Sequence, residues 1–363
     1  MPIDYDVIIA GGGIIGASIA WRLAREQRRV LLIDAAKIGS EASSAAAGML
    51  APGGEFHQLS PMLDFAMSSL AQYDDFTAAL QADSGLPIEF RRTSAVQIAI
   101  TETELEALSR RAASQRAAGI PSTILAHDEL RALVPLVRSD AIGAVHYTNE
   151  ATVDPAAVAT ALRAACLARG VSIQEDSRVT SIAAGANGAR VWLSNQALAD
   201  QAFGASCAVL SAGAWTSSIA VTIDQQPYAL PRSFPVKGHL LGYRLPAGSL
   251  AATVRHEHTY VLQRAGGFTI AGSSTEDAGY DRTIDPKIVS DIAARAGALV
   301  PTLAVLKPES VWTGFRPATD FPAPRIGRVL SSRLWLAYGH YRNGVLLAPA
   351  TAERVCREIL AIE

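Results

Sequence analysis

Two arginines near the C-terminal end lie among glycine, aromatic and apolar residues. Arg316 lies in the segment 314–317 (Gly-Phe-Arg-Pro), and Arg342 lies in the segment 339–345 (Gly-His-Tyr-Arg-Asn-Gly-Val). An unpaired charge is very costly to bury, so an arginine in such surroundings needs an anionic partner. A guanidinium matches a carboxylate in a bidentate manner. The two arginines therefore indicate a site for a carboxylate-bearing small molecule; internal salt bridges or side chains that reach solvent are the alternatives.

Other residues that can do chemistry form weaker patterns. Tyr260, in the predicted strand 259–263, could donate its phenol hydrogen to the same carboxylate, although a core tyrosine is the simpler interpretation. His256 and His258 would share one face of a strand, as metal ligands can, but no carboxylate or thiol cluster accompanies them and no metal is expected. The cysteines match no metal or redox spacing and are expected to be buried small side chains: Cys166, Cys207 and Cys356.

Residues 11–16 form a Gly-x-Gly-x-x-Gly motif between a predicted strand and a predicted helix. Gly11 allows the tight turn, Gly13 lets the main chain approach a pyrophosphate, and Gly16 allows the helix to pack closely on the strand. The N-terminus of the helix favours the phosphates, and Asp34, at the end of the next strand, can accept hydrogen bonds from a ribose. The motif predicts a dinucleotide site without separating FAD from NAD, or an enzyme from a binding module. The sequence contains neither a P-loop nor a Gly-x-Ser-x-Gly motif.

The elements that must position these residues follow from hydrophobic periodicity and turn residues. Strands are predicted at 5–10, 29–34, 96–100, 142–147, 179–184, 191–194, 207–215, 240–245, 259–263, 268–271 and 334–338. Helices are predicted at 14–26, 61–82, 102–118, from 155, at 285–299 and at 349–360. The small residues of 39–52 are typical of either a flexible linker or a chain packed closely on a ligand.

Composition limits the class of protein. The chain has 363 residues, 49% of them hydrophobic, and a formal charge of −2. This length suggests about two domains, and dinucleotide-type elements at both ends suggest that the two are interleaved. No basic excess points to nucleic acid or anionic lipid. No run of about 20 apolar residues could span a membrane, and no signal peptide is visible, so a cytoplasmic protein is expected.

Five segments together resemble the glycine oxidases, the thiazole-biosynthesis branch of the D-amino acid oxidase superfamily of FAD-dependent oxidoreductases. The match runs in order over essentially the whole chain, and the last segment is the most specific. The segments are 11–16, 43–50 (Ser-Ser-Ala-Ala-Ala-Gly-Met-Leu), 235–238 (Pro-Val-Lys-Gly), 314–317 and 339–351.

The resemblance implies an α/β fold, α+β overall, with a Rossmann-like FAD-binding domain (1–87, 146–220 and 310–363) interleaved with a β-rich substrate-binding domain (88–145 and 221–309). FAD would be bound non-covalently, since the segment around Phe315 has no cysteine of the kind that anchors flavin in sarcosine oxidases. Arg316 and Tyr260 would hold the substrate carboxylate, with Arg342 assisting. The implied cofactor-binding residues are Gly11, Gly13, Ile14, Ile15, Gly16, Asp34, Ala35, Ala42, Ser43, Ala47, Gly48, Met49, Val179, His340, Tyr341, Arg342, Asn343, Gly344, Val345 and Leu346.

The implied activity is an amino acid oxidase. Hydride would pass from the substrate α-carbon to flavin N5, the imine would hydrolyse to an oxo acid and ammonia, and dioxygen would reoxidise the flavin with formation of hydrogen peroxide. The alternatives are a D-amino acid dehydrogenase that passes electrons to a quinone or carrier, a non-catalytic flavin-binding module, and an NAD-dependent dehydrogenase. His239, Thr275 and Arg325 depart from the family pattern, so the choice among glycine, sarcosine and small D-amino acids stays open. The resemblance also suggests a homotetramer.

Overall fold

The computed structural model describes residues 4–56, 59–195 and 198–362. The strands in these ranges, labelled β1 to β19 in chain order, are Tyr5–Ala10, Val30–Ile33, Met49–Leu50, Phe90–Ala99, Ser122–Ala126, Gly143–Val153, Ser172–Gln174, Arg178–Gly185, Gly188–Asn195, Leu198–Leu210, Ala220–Ile223, Gln226–Pro227, Ser233–Arg244, Ala252–His256, Thr259–Gln263, Phe268–Gly272, Ser310–Thr319, Arg325–Arg328 and Leu334–Tyr338. The helices, labelled α1 to α10, are Ile14–Arg25, Ala42–Ala45, Pro52–Glu55, Pro61–Ala71, Tyr73–Ser84, Glu102–Ala117, His127–Leu133, Pro155–Ala168, Pro286–Leu299 and Gly344–Leu360.

The first sheet is built around β1, which lies between β2 and β10 and is parallel to both. Val7 and Ile9 face a hydrophobic core shared with α1, α8 and α10. Ile8 and Ala10 face a second core, shared with the β8–β9 hairpin. Burial on both faces explains the uninterrupted apolar run of this strand. In the described ranges the sheet has ten strands, in the order β12-β11-β8-β9-β10-β1-β2-β7, with β19 beside β10 and β18 beside β19.

The second sheet is mainly antiparallel. Its order is β17-β13-β16-β15-β14-β4-β6-β3, with β5 beside β6. Helix α9 covers one face, where Ile292 and Ala296 share a core with Leu241 and Val261. The predicted mixed α/β fold and the predicted hairpins at β8–β9 and β15–β16 are confirmed. All three cysteines are buried, as predicted.

Several predicted elements differ in extent from those in the structure. The predicted helix 61–82 is two helices, α4 and α5, which meet at Gln72. The ψ angle of Gln72 is −8°, which interrupts the hydrogen-bond ladder and lets α4 pack on α10 while α5 packs on α8. The predicted strand 207–215 stops at Leu210, because the chain turns at Gly213 (φ +56°) into a short 3₁₀ helix, Gly213–Ser218.

The C-terminal helix begins at Gly344 rather than at the predicted residue 349. Pro349 therefore lies inside α10 and cannot donate to the carbonyl of Val345. The phenol of Tyr73, from α5, donates to this carbonyl instead. A hydrogen bond between residues far apart in sequence thus makes the internal proline tolerable.

Two strands, β6 and β17, bear on the predicted domain segments. Strand β6 runs across the predicted boundary between residues 145 and 146, and β17 pairs with β13 in the second sheet. The predicted division into domains stays a prediction. In the described part of the chain, no helix is long and apolar enough to cross a bilayer.

Candidate active site

A cavity of about 330 Å³ lies where the two sheets meet. The chain segments that follow β1, β2, β10 and β19 line it from the first sheet, and residues of β13, β15 and β17 line it from the second. Ligands of parallel α/β sheets bind beyond the carboxyl ends of the strands, which is where this cavity lies.

Most of the predicted site residues meet in this cavity. Two predicted cofactor residues lie behind its wall: Gly16 is packed against the main chain of Gly11, and Leu346 is buried in the core below α10. The predicted residues in the lining are Gly11, Gly13, Ile14, Ile15, Asp34, Ala35, Ala42, Ser43, Ala47, Gly48, Met49, Val179, Tyr260, Arg316, His340, Tyr341, Arg342, Asn343, Gly344 and Val345.

Sequence reasoning missed several residues of the lining. Residues 211–215 follow β10 and were predicted to continue a strand, although Gly213 was a signal for a turn at this edge of the sheet. Gly238 belongs to a segment used for the resemblance, but its role was not identified. Ser273 and Glu55 also line the cavity, and no local pattern marks either of them.

The nucleotide end of the cavity is formed by the β1–α1 turn. Gly11 has φ +105°, a conformation that favours glycine. The carboxylate of Asp34 accepts hydrogen bonds from the main-chain N–H groups of Gly12 (2.6 Å) and Ala36 (2.8 Å). Burial raises the pKa of Asp34, and these two donors oppose the shift. A carboxylate has about four lone-pair sites, so Asp34 retains capacity for ribose hydroxyls.

Ser43 closes this end from the opposite side, where its Oγ accepts a hydrogen bond from the first helical N–H, that of Ile14, at 2.9 Å. A Cβ added to Gly13 would lie 3.4 Å from the same Oγ. The α1 N-terminus, a carboxylate and walls of small residues together fit the phosphates and ribose of a dinucleotide cofactor.

The small-residue segment 42–49 is held against the cavity by side chains of the second sheet. Trp312 Nε1 donates to the carbonyl of Ala45 (3.0 Å), and Arg264 donates to the carbonyl of Ala47 (2.6 Å). The main chain of Gly48 accepts from Val153 N–H at 2.9 Å. These contacts favour the prediction of a closely packed chain over that of a flexible linker.

Arg316 projects into the cavity from β17. Its Nη1 donates to the carbonyls of Lys237 (3.3 Å) and Ser274 (3.0 Å), and its Nη2 donates to Ser273 Oγ (3.0 Å). No carboxylate within the described ranges forms an ion pair with it. Burial lowers the pKa of Arg316, although an arginine remains protonated in proteins. A buried cation with neutral acceptors only is poised for an anionic ligand.

Tyr260 lies beside Arg316, from β15. Burial raises the pKa of its phenol to about 12, although the charges of Arg316 and Arg342 oppose the shift. The side chain of Ser273 opposes the shift as well. Tyr260 therefore keeps its proton at neutral pH and can donate it to an acceptor in the cavity.

Arg342 differs from Arg316 because it has an internal partner. Its Nη2 lies 3.1 Å from Glu55 Oε1, in an ion pair that closes one side of the cavity. For Arg342 the structure thus shows the salt bridge that the sequence left open as an alternative to a ligand site.

His340 precedes α10 and is almost completely buried. Its Nε2 lies 3.1 Å from Thr351 Oγ1, and burial lowers its pKa to about 3. The imidazole is therefore neutral at physiological pH. His256, by contrast, lies 3.4 Å from Glu104, and no cluster of three or more potential metal ligands occurs in the described part of the chain.

Comparisons with known proteins agree with this geometry. The FAD dependent oxidoreductase (DAO) family model matches residues 6–358. Glycine oxidase from Bacillus licheniformis is 30% identical over 358 residues, with 98% of this chain and 93% of that protein covered. The bifunctional protein ThiO/ThiG of Synechocystis sp. is 32% identical over 366 residues, and the alignment covers 99% of this chain and 52% of that protein. The crystal structure of glycine oxidase from Geobacillus kaustophilus has a TM-score of 0.90 at 29% identity, with 98% of this chain and 95% of that chain covered.

Proposed function

Because the chain belongs to the FAD dependent oxidoreductase (DAO) family, we propose that it catalyses the oxidative deamination of glycine or a similarly small amino acid, with dioxygen as electron acceptor. Relatives named glycine oxidase are about 30% identical to this chain over nearly their whole length, and their name supports a small amino acid as substrate. The match to the ThiO/ThiG protein supports a role in thiazole biosynthesis.

The observation that carries the proposal is the pair Arg316 and Tyr260. A buried guanidinium with neutral partners and a protonated phenol face the same cavity. Together they fit one carboxylate, held by a charged fork and a neutral donor. The ion pair with Glu55 cancels the charge of Arg342, so the site favours a substrate with a single carboxylate.

FAD is the cofactor of this family, and its ADP half would lie at residues 11–16 and Asp34, with Ser43, Ala47 and Met49 along its length. When bound, FAD accepts two electrons from the substrate and passes them to dioxygen. The contribution of the protein is to position the substrate. Arg316 and Tyr260 fix the carboxylate and thereby the direction of the α-carbon. His340, which is neutral and hydrogen-bonded to Thr351, adds no charge to the part of the cavity that it lines.

The predicted division into a FAD-binding domain and a substrate-binding domain is part of the same proposal. The first sheet carries the cofactor-binding turn, and the second carries Arg316 and Tyr260, so substrate and cofactor would meet along the line between the sheets. The proposal includes a homotetramer, which is supported by the family resemblance alone.

The visible spectrum of the purified protein tests the proposal. It is recorded anaerobically before and after addition of glycine, sarcosine, D-alanine or D-proline, and again after air is admitted. Flavin bands that bleach with one of these and return with formation of peroxide are expected. Bleaching without reoxidation by air would instead indicate a dehydrogenase, and bands that no amino acid bleaches would exclude the proposed activity.

A further inference from the structure

Two of the three acceptors that hold Arg316 belong to the β16–α9 connection (residues 273–285), which has no regular secondary structure over most of its length. These acceptors are Ser273 Oγ and the carbonyl of Ser274. A side chain held by an irregular segment is only as well placed as that segment. The elements that fix the connection therefore bear on the direction of the guanidinium.

The connection is tied to β13 directly beside Arg316. The main chains of Lys237 and Glu276 exchange two hydrogen bonds of 3.0 Å. Ser274 Oγ accepts from the N–H of His239 (2.7 Å) and donates to Glu276 Oε1 (2.5 Å). The same carboxylate oxygen lies 2.7 Å from His239 Nδ1.

His239 completes this arrangement from a fully buried position. Its Nε2 accepts a hydrogen bond of 3.1 Å from the N–H of Asp285, at the start of α9. This acceptor role places the ring proton on Nδ1, which donates it to Glu276. The imidazole thus joins β13, the β16–α9 connection and α9, and its Nδ1 also lies 3.4 Å from Ser274 Oγ.

We propose that His239 and Glu276 are positioning residues for substrate binding, which hold residues 273–274 so that the Arg316 guanidinium stays directed into the cavity. The three hydrogen bonds of Arg316 use three of its five N–H groups and leave two for a carboxylate in the described site. If residues 273–274 shift, Arg316 follows its acceptors and the pair with Tyr260 is lost. This inference rests on the proposed function, because it takes Arg316 as the carboxylate-binding group.

The test measures binding as well as turnover. Acetate, a carboxylate without an amine, is titrated into the FAD-loaded protein and its dissociation constant is read from the change in the flavin spectrum. The KM and kcat for glycine are measured in parallel. For His239→Leu and Glu276→Leu we expect the acetate constant and the glycine KM to rise roughly tenfold, with kcat changed much less, as for residues coupled in one hydrogen-bond network.

Two further variants separate positioning from a general loss of structure. His239→Gln keeps one donor and one acceptor and is expected to restore most of the affinity. Asp285→Ala removes the side chain that caps α9 at Lys287 N–H but keeps the N–H bonded to His239. It is expected to lower stability and leave the glycine KM unchanged. If either leucine variant does not fold, Glu276→Gln is measured in its place.

Unchanged acetate and glycine affinities in the folded variants would overturn the role of His239 and Glu276, as would an equal loss in Asp285→Ala. Failure of the proposed function gives a different result: the unmodified protein is then not bleached by any small amino acid. The acetate titration of the same variants still decides the positioning role in that case.

Discussion

Arg316 is the residue on which substrate binding is expected to depend most. Arg316→Met removes the fork and leaves the substrate carboxylate without its charged partner, at a cost of about 3–5 kcal/mol. The glycine KM should therefore rise roughly a hundredfold or more, measured by peroxide release. Arg110→Met, which removes an exposed arginine paired with Glu106 on α6, is the matched control. A variant that retains flavin and a near-normal KM would contradict the assignment.

Gly238 is expected to be required because the Arg316 guanidinium leaves no room for a side chain at this position. A Cβ at this position would lie 2.6 Å from Arg316 Cζ and closer still to both terminal nitrogens. Gly238→Ala should therefore displace the guanidinium and raise the glycine KM at least tenfold without loss of FAD, a difference of about 1.4 kcal/mol. Gly266→Ala, where the added methyl has no neighbour within 4 Å, serves as control; equal effects of both substitutions on KM would exclude the steric explanation.

At the scale of residues, the sequence predicts which side chains are unusual but not which partners they have. Both arginines lie in similar apolar segments, yet only Arg342 has a carboxylate partner in the described structure. That partner, Glu55, is 287 residues away in sequence. Contacts of this range depend on the packing of two sheets, which local periodicity does not encode.

At the scale of elements, the β1–α1 unit follows from the sequence because each glycine answers a local requirement. Gly16 illustrates this: a Cβ would overlap the carbonyl oxygen of Gly11 and lie 2.5 Å from Ser211 Oγ. Gly16→Ala should push α1 away from β1 and lower the stability by about 1–3 kcal/mol. The FAD dissociation constant, measured by flavin fluorescence, should rise more than it does for Ala17→Gly in the same helix. Equal FAD affinity in both variants would argue against the close packing.

The connection from β19 to α10 carries a pH-dependent contribution to stability through His340. Its pKa in the fold is about 3, below the ordinary value of about 6.5. The unfolded chain therefore takes up a proton that the folded chain does not, and stability present above pH 6.5 is lost as the pH falls towards 3, at about 1.4 kcal/mol per pH unit. Urea unfolding at constant saturating FAD should show this slope reduced in His340→Gln.

The same substitution at the exposed His258 is the control for His340, because it removes an imidazole that lies outside the buried β19–α10 connection. Identical slopes in the unmodified protein and His340→Gln would show that the fold does not lower the pKa of His340.

The break between α4 and α5 and the start of α10 show where prediction of elements fails. Pro349 is a sound local signal for a helix start, and it misleads because Tyr73 satisfies the carbonyl that the proline leaves free. The break at Gln72 has no proline or glycine to mark it. In both cases helices that pack against each other decide the boundary, so the information lies in tertiary contacts rather than in the segment.

At the scale of the whole molecule, the family predicted from the motifs is confirmed by a family model that spans residues 6–358. The motifs are divided between the sheets: 11–16 and 339–351 directly follow strands of the first, and 235–238 and 314–317 lie in strands of the second. The dinucleotide-type elements at both ends of the chain had suggested that two domains are interleaved. The chain length suggested about two domains and could not have placed the site between two sheets.

The β16–α9 connection contacts both sheets. We expect the part around Tyr280 to affect FAD affinity and the part around Glu276 to affect substrate affinity. Tyr280, near its middle, stacks on Trp215 (centroids 5.3 Å apart) and contacts Phe315 edge-on. Both partners line the cavity, Trp215 from the segment that follows β10 of the first sheet. Tyr280→Ala removes both ring contacts, worth about 0.5–1.5 kcal/mol each. The FAD dissociation constant should rise roughly tenfold while the glycine KM of the FAD-saturated enzyme is unchanged, the reverse of the pattern expected for Glu276→Leu.

Tyr5→Ala is the control for Tyr280→Ala, because it removes a comparable edge-on contact, with Phe203, on the first sheet outside the cavity lining. It should leave FAD affinity unchanged. If Tyr280→Ala and Glu276→Leu instead weakened FAD and glycine binding to the same extent, the connection would act as one unit. Substrate and cofactor affinity would then be coupled through it, and the two ends could not be altered independently.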